Sequence, residues 1–94
     1  MKIRFTPESA LELDEAVKWY DNESKGLGKI FVSIFDETLL RTVRYPYFNT
    51  EIHPGFYRAL MKKFPYGIIY SIEGGDLLVY AVAHLHRAPF YWLK

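Results

Sequence analysis

His84, His86, Arg87, Tyr91 and Trp92 crowd the point where the chain's last apolar run stops. These residue types support proton transfer and anion binding. Imidazole titrates near neutral pH and can donate or accept a proton. Arginine keeps its charge and offers a planar fork that fits a phosphate or a carboxylate. His84 and His86 alternate with Leu85, so on a continuing strand both point to one face. That spacing also suits two metal ligands. However, no acid or thiol stands near them in the sequence and only His53 could join from afar, so neither a metal nor another cofactor is expected. The plainer role for such histidines is hydrogen bonding to backbone where a sheet frays, and for Arg87 an ion pair with an acid of the first helix or with the C-terminal carboxylate.

A second group lies upstream in FYRALMKKF, where Arg58 and Lys62 share parity on an extended chain and Lys63 follows. Cations beside Tyr66, Tyr91 and Trp92 form the composition that grips a nucleic-acid backbone and stacks on bases. They equally form the composition of a protein-binding hot spot, and the bland alternative for Tyr91 and Trp92 is closure of the core. There is no phosphate-binding glycine loop, serine elbow, paired-carboxylate spacing or metalloprotease helix. The Gly26-Leu27-Gly28 pair is too short for a nucleotide fingerprint and follows a helix rather than a strand.

The elements that must position these residues are legible from spacing. Tyr57–Phe64, Tyr66–Glu73 and Leu77–Leu85 are short runs rich in β-branched and aromatic residues, read as three strands. Gly74-Gly75-Asp76 supplies the positive φ angles of a tight hairpin. The last two runs are apolar on both alternating sets, which predicts a sheet covered on both sides for part of its length. Upstream, Lys2–Thr6 alternates as a short strand with Ile3 and Phe5 inward. Thr6-Pro7 then caps a helix whose stripe is Ala10, Leu13, Ala16, Val17 and Tyr20, ending over Asn22–Gly26. A second helix is predicted from about Leu27 to Tyr45 with Ile30, Phe31, Ile34, Phe35, Thr38 and Leu39 inward, stopped by Pro46. Tyr47–Gly55 reads as loop. The sum is an α+β fold: an N-terminal strand, an antiparallel helical hairpin, then a three-stranded antiparallel meander, in one domain spanning 1–94.

Composition bounds the rest. The 94 residues are 50% apolar, enough for one core, and contain no cysteine, which removes disulfides and thiolate chemistry. No apolar run is long enough to cross a bilayer and no signal peptide is evident, so a cytoplasmic protein without a membrane partner is expected. The net charge of +1 argues against indiscriminate nucleic-acid binding. The charges are nevertheless unevenly spread: Glu8, Glu12, Asp14, Glu15, Asp21 and Glu23 surround the first helix, whereas Arg58, Lys62, Lys63, Arg87 and Lys94 carry the sheet half.

Taken in order, Glu15-Ala16, Trp19-Tyr20, Gly26-Leu27-Gly28, Phe31, Arg58, Leu60, Phe64-Pro65-Tyr66, Ile68, Tyr70, Val79, Val82-Ala83-His84, Arg87, Pro89 and Tyr91-Trp92 resemble the RelE/ParE superfamily of bacterial toxins, over nearly the whole chain. The resemblance implies a growth-inhibiting toxin neutralised by a cognate antitoxin, with operator DNA bound only through that antitoxin. ParE-like members poison DNA gyrase, and RelE-like members cut mRNA on the ribosome. A nuclease would draw its catalytic groups from Arg58, His84, His86, Arg87 and Tyr91; a binding surface for target or nucleic acid would use Arg58, Lys62, Lys63, Tyr66, Arg87 and Trp92. Gly67 stands where the ribosome-dependent nucleases place an arginine, and Tyr91 falls slightly short of their tyrosine. The wording of FPY and HLHRAPFYW is closer to ParE-like sequences, so gyrase is the expected target. A member retaining only antitoxin binding is a further alternative.

Overall fold

Thr6 and Pro7 turn the opening strand into a helix within one peptide. In the computed structural model, which describes residues 1–93, β1 (Ile3–Phe5) leads straight into α1 (Pro7–Glu23). The Thr6 hydroxyl accepts the Ser9 N–H at 3.1 Å, and Pro7 takes the first helical position, where its missing N–H costs nothing. Buried Ser9 donates through Oγ to the Val79 carbonyl at 2.8 Å, tying the first turn to the last strand.

The two helices meet more closely than ordinary side chains allow. Asp21 Oδ1 accepts the N–H groups of Gly26 and Gly28 at 3.0 and 3.2 Å, capping the start of α2 (Leu27–Arg44). A Cβ on Gly28 would lie 2.8 Å from the Val17 carbonyl oxygen, so glycine is what lets the hairpin close. The Gly26-Leu27-Gly28 pair is thus a helix-crossing device. The inward stripe of α2 is Phe31, Phe35, Thr38, Leu39 and Thr42, and the two threonines satisfy their hydroxyls on carbonyls four residues back. Ile30 and Ala10, expected in the stripes, face outward, and Ile3 is 37% exposed because β1 lies at the sheet edge.

The remaining strands are β2 (Thr50–His53), β3 (Phe56–Leu60), β4 (Tyr66–Glu73) and β5 (Asp76–His84), forming one sheet in the order β1-β5-β4-β3-β2. All neighbours are antiparallel except β1, which pairs parallel with β5. The α+β architecture of strand, helical hairpin and meander is as expected. The hairpin between β4 and β5 turns at Gly74 and Gly75, with φ of 60° and 80°. Two features differ from expectation. The segment read as loop contains β2, which is polar, short and at the sheet edge, so no alternation betrays it. Strand β3 ends at Leu60 rather than Phe64, because the chain turns at Lys62–Pro65 with Lys63 at φ 66°. Lys62 therefore does not share a strand face with Arg58.

One sheet face packs on the helices. Phe31, Phe35 and Leu39 meet Ile68, Tyr70, Leu77, Val79 and Val82, and an aromatic knot joins Phe31 to Tyr20, Phe64 and Tyr66 at 5.0–5.3 Å between ring centroids. The opposite face buries Ile69 and Ala81, which the C-terminal segment helps to shield. Truncating fully buried Phe31 to Ala should cost about 3–5 kcal/mol. The same change at Phe48, which is 91% exposed, should cost under about 0.5 kcal/mol. Urea unfolding of the two variants checks both, and comparable losses would mean that the core is misassigned.

Candidate functional site

Strand β1 ends opposite Val79, leaving the outer edge of β5 without a strand partner from Tyr80 onward. Helix α1 closes that edge with one carboxylate. Glu12 Oε1 accepts the Val82 N–H at 2.9 Å, and Oε2 accepts the Tyr91 hydroxyl at 2.5 Å and Arg87 Nη1 at 3.3 Å. The Arg87 guanidinium lies 3.7 Å from the centroid of the Tyr91 ring. A single acid therefore joins helix, sheet edge and C-terminal tail.

From His84 the tail crosses the far face of the sheet. Leu85 N–H bonds to the Pro65 carbonyl at 2.9 Å, and Arg87 N–H to the His84 carbonyl at 3.0 Å. Phe90 adopts φ 61°, an uncommon conformation for a bulky residue, and returns the chain so that Trp92 packs 4.8 Å from Phe56. His53 completes this cluster, 5.9 Å from Phe90 and 6.4 Å from Trp92. Between tail and sheet runs a groove of about 590 Å³, with Arg58, Ile69 and Ala83 on one side and Leu85, Pro89 and Phe90 on the other.

Arg58 lies over Gly67. A Cβ at Gly67 would sit 2.9 Å from Arg58 Cγ and 3.1 Å from Cδ, so the arginine stem occupies the room that a longer residue would need. Arg58 Nε is buried without a hydrogen-bond partner, as is His53 Nδ1. Unsatisfied buried donors are rare, and this one borders the groove.

The sequence-predicted residues divide. Arg58, His84, Arg87, Tyr91 and Trp92 all line the groove. His86 is exposed and donates its backbone N–H to His84 Nδ1 at 3.1 Å. Tyr66 belongs to the helix-side knot and stacks edge-on to His84 at 5.2 Å. Lys62 and Lys63 sit exposed in the β3–β4 turn, outside the groove lining, and Lys94 lies outside the described residues. His53 contacts Phe56, Phe90 and Trp92, whereas His84 and His86 contact each other. Among the described residues no three potential ligands gather into a metal set. The sequence-based alternatives include an ion pair of Arg87 with an acid of the first helix but do not single out Glu12; they weigh His53 only as a metal ligand and pass over Phe56 and Phe90. Glu12 is one acid among six on its helix, with nothing local to mark it.

Burial and the bond to Glu12 push the Tyr91 phenol well above its ordinary value of 10.0. A raised pKa in the folded chain gives stability that is full below the unfolded value and is lost as pH rises through the folded one. Tyr20, Tyr66 and Tyr70 shift the same way, so the comparison must be with Tyr91→Phe. That variant should lose about 1–3 kcal/mol at neutral pH and show a shallower loss of stability above about pH 10. Denaturant titrations from pH 7 to 11 would expose an identical slope in both proteins if the bond to Glu12 carries no weight.

No family model matches the chain, nor does any curated protein. Among solved structures, a chain titled "Chromosomal ParDE TA system from P. aeruginosa" superposes with a TM-score of 0.66 at 11% sequence identity, covering 89% of this chain and 95% of that one. The likeness at that identity is one of fold: a strand, a helical hairpin and an antiparallel meander in one sheet, shared across nearly the full length of both chains.

Proposed function

We propose that this chain, as one domain, is the toxin of a type II toxin–antitoxin module, held inactive in the cytoplasm by a cognate antitoxin, and that it acts by gripping DNA gyrase rather than by cutting RNA. The shared fold with a ParDE chain and the residue pattern described above support the toxin assignment. The state of Tyr91, Arg87 and Arg58 supports binding over cleavage.

Ribose-driven RNA cleavage needs a group to take the 2′-hydroxyl proton and cations to stabilise the developing dianionic phosphate. Tyr91 is poorly suited to the first task, because its hydroxyl is donated to Glu12 and its phenol resists ionisation. Arg87 is compensated by the same carboxylate. The Arg58 stem fills the space above Gly67, the position where the nuclease pattern carries a further arginine. What remains is a groove with one under-bonded guanidinium and an aromatic border, a composition typical of protein-binding hot spots. The ParE-like wording of FPY and HLHRAPFYW supports gyrase as the target.

Induced expression should arrest growth, and purified protein should block gyrase supercoiling while translated mRNA stays intact. Arg58→Ala and Trp92→Ala should each weaken inhibition by about tenfold or more, as truncated hot spots do. Tyr91→Phe should stay within about threefold of wild type, whereas loss of a catalytic acid or base costs about 100-fold or more. Codon-positioned mRNA cuts abolished by Tyr91→Phe would establish the nuclease instead. Unimpaired growth and unimpaired gyrase would leave only antitoxin binding.

A further inference from the structure

The groove beneath the tail holds an arginine that the rest of the fold leaves without a counter-charge. On β3, Arg58 stands opposite Thr50 of β2 and Ile69 of β4, so neither cross-strand neighbour is an acid. Among the described residues its side chain makes no ion pair, and its Nε is buried without a hydrogen-bond partner. Gly67 gives the stem room to lie down on β4, at the border of the groove. A guanidinium partly withdrawn from water and left unpaired is a cost that a ligand removes by supplying the missing acceptor.

The rest of the lining narrows that ligand. Arg87 also borders the groove, but Glu12 compensates it. Lys62 and Lys63 lie outside the lining, and the lining carries a carboxylate of its own, Glu51, which accepts the Gly55 N–H at 2.9 Å. A nucleic-acid strand presents successive phosphates and needs a row of cations, whereas this groove offers one uncompensated charge with an acid nearby. Ile52, Leu85, Pro89 and Phe90 supply apolar walls, which suit apolar groups on either side of a single negative charge.

We infer that the groove receives one acidic side chain, aspartate or glutamate, set between apolar residues on the surface of the protein target. The inference rests on the reading above that this groove grips a protein, and it names the chemistry of the element gripped. The carboxylate accepts from the planar fork of Arg58, Nε–H included. Its apolar neighbours cover the walls and exclude water, which strengthens the pair. A neutral amide in the same place leaves the guanidinium without a counter-charge.

The test observes Arg58 directly and needs no gyrase. A buried Nε–H is protected from exchange, so it gives a resonance in a proton–nitrogen correlation spectrum of the whole protein, assigned by its absence from Arg58→Lys. Isovalerate, a carboxylate with a branched apolar tail, should shift that resonance saturably and bind at least about tenfold more tightly than isovaleramide, with affinity falling as salt rises. A single-stranded oligothymidylate at the same concentration should leave the resonance in place. Arg58→Met keeps an apolar stem over Gly67 and removes the charge, so isovalerate should no longer shift the indole N–H of Trp92, which also lines the groove, while the circular dichroism spectrum is unchanged. A resonance indifferent to isovalerate, equal affinity for the amide, tighter binding of the oligothymidylate, or an Arg58→Met variant that still responds would each overturn the inference. Wild-type protein that leaves gyrase untouched while isovalerate still shifts Arg58 would strike the target named above and uphold the ligand class. Gyrase inhibition with no response to isovalerate would do the reverse.

Discussion

An unpaired strand edge is the constraint from which much of this molecule follows. Strand β1 covers only the first part of β5, and a buried N–H left bare at Val82 would cost about 1–3 kcal/mol. Glu12 meets that need from α1, which Ser9 has already docked on the Val79 carbonyl. A carboxylate brought to a sheet edge must itself be satisfied, and its second oxygen takes Tyr91 and Arg87 from the tail. The course of the C-terminal segment is thus set by a carboxylate more than seventy residues earlier in the chain.

That same solution redistributes the chemistry. Arg87 and Tyr91 sit where a phosphate-processing site would want a free cation and a free phenol, and both are engaged by Glu12. Among the described residues Arg58 has no such acid. Its stem lies across Gly67, its Nε lacks a partner, and its head borders the groove beneath the tail. Among the described residues lining that groove, the arginine without an acid partner therefore stands on β3, away from the conspicuous HLHR run.

The local devices were legible in the sequence because each is short-range physics. Thr6-Pro7 announces a capped helix, Gly74-Gly75 a hairpin, and the double-faced apolar runs a buried β4 and β5. What escaped depends on partners distant in sequence. Strand β2 has no apolar alternation and exists because β3 offers it an edge. Lys62 falls off the strand because Met61 N–H turns to the Tyr66 carbonyl, which parity alone does not foresee. Ile30 faces out because Gly28 fixes how the helices cross, rotating the buried stripe of α2 toward Phe31, Phe35 and Thr42. For Glu12 no local signal exists.

The two sheet faces are consequently unlike, and the difference bears on function. The helix-side face is sealed by an aromatic knot, and the fully buried Tyr70 of the same core donates its hydroxyl to the Pro46 carbonyl at 2.6 Å and accepts from Asn49 at 3.0 Å. The tail-side face keeps two buried nitrogens without partners, on Arg58 and His53, and a bulky residue at positive φ in Phe90. Buried orphans and backbone strain gather where binding surfaces are, because an ideal fold would have removed both. That both orphaned nitrogens of the described residues lie beneath one short strap argues that the strap and the strand under it are shaped for something other than stability.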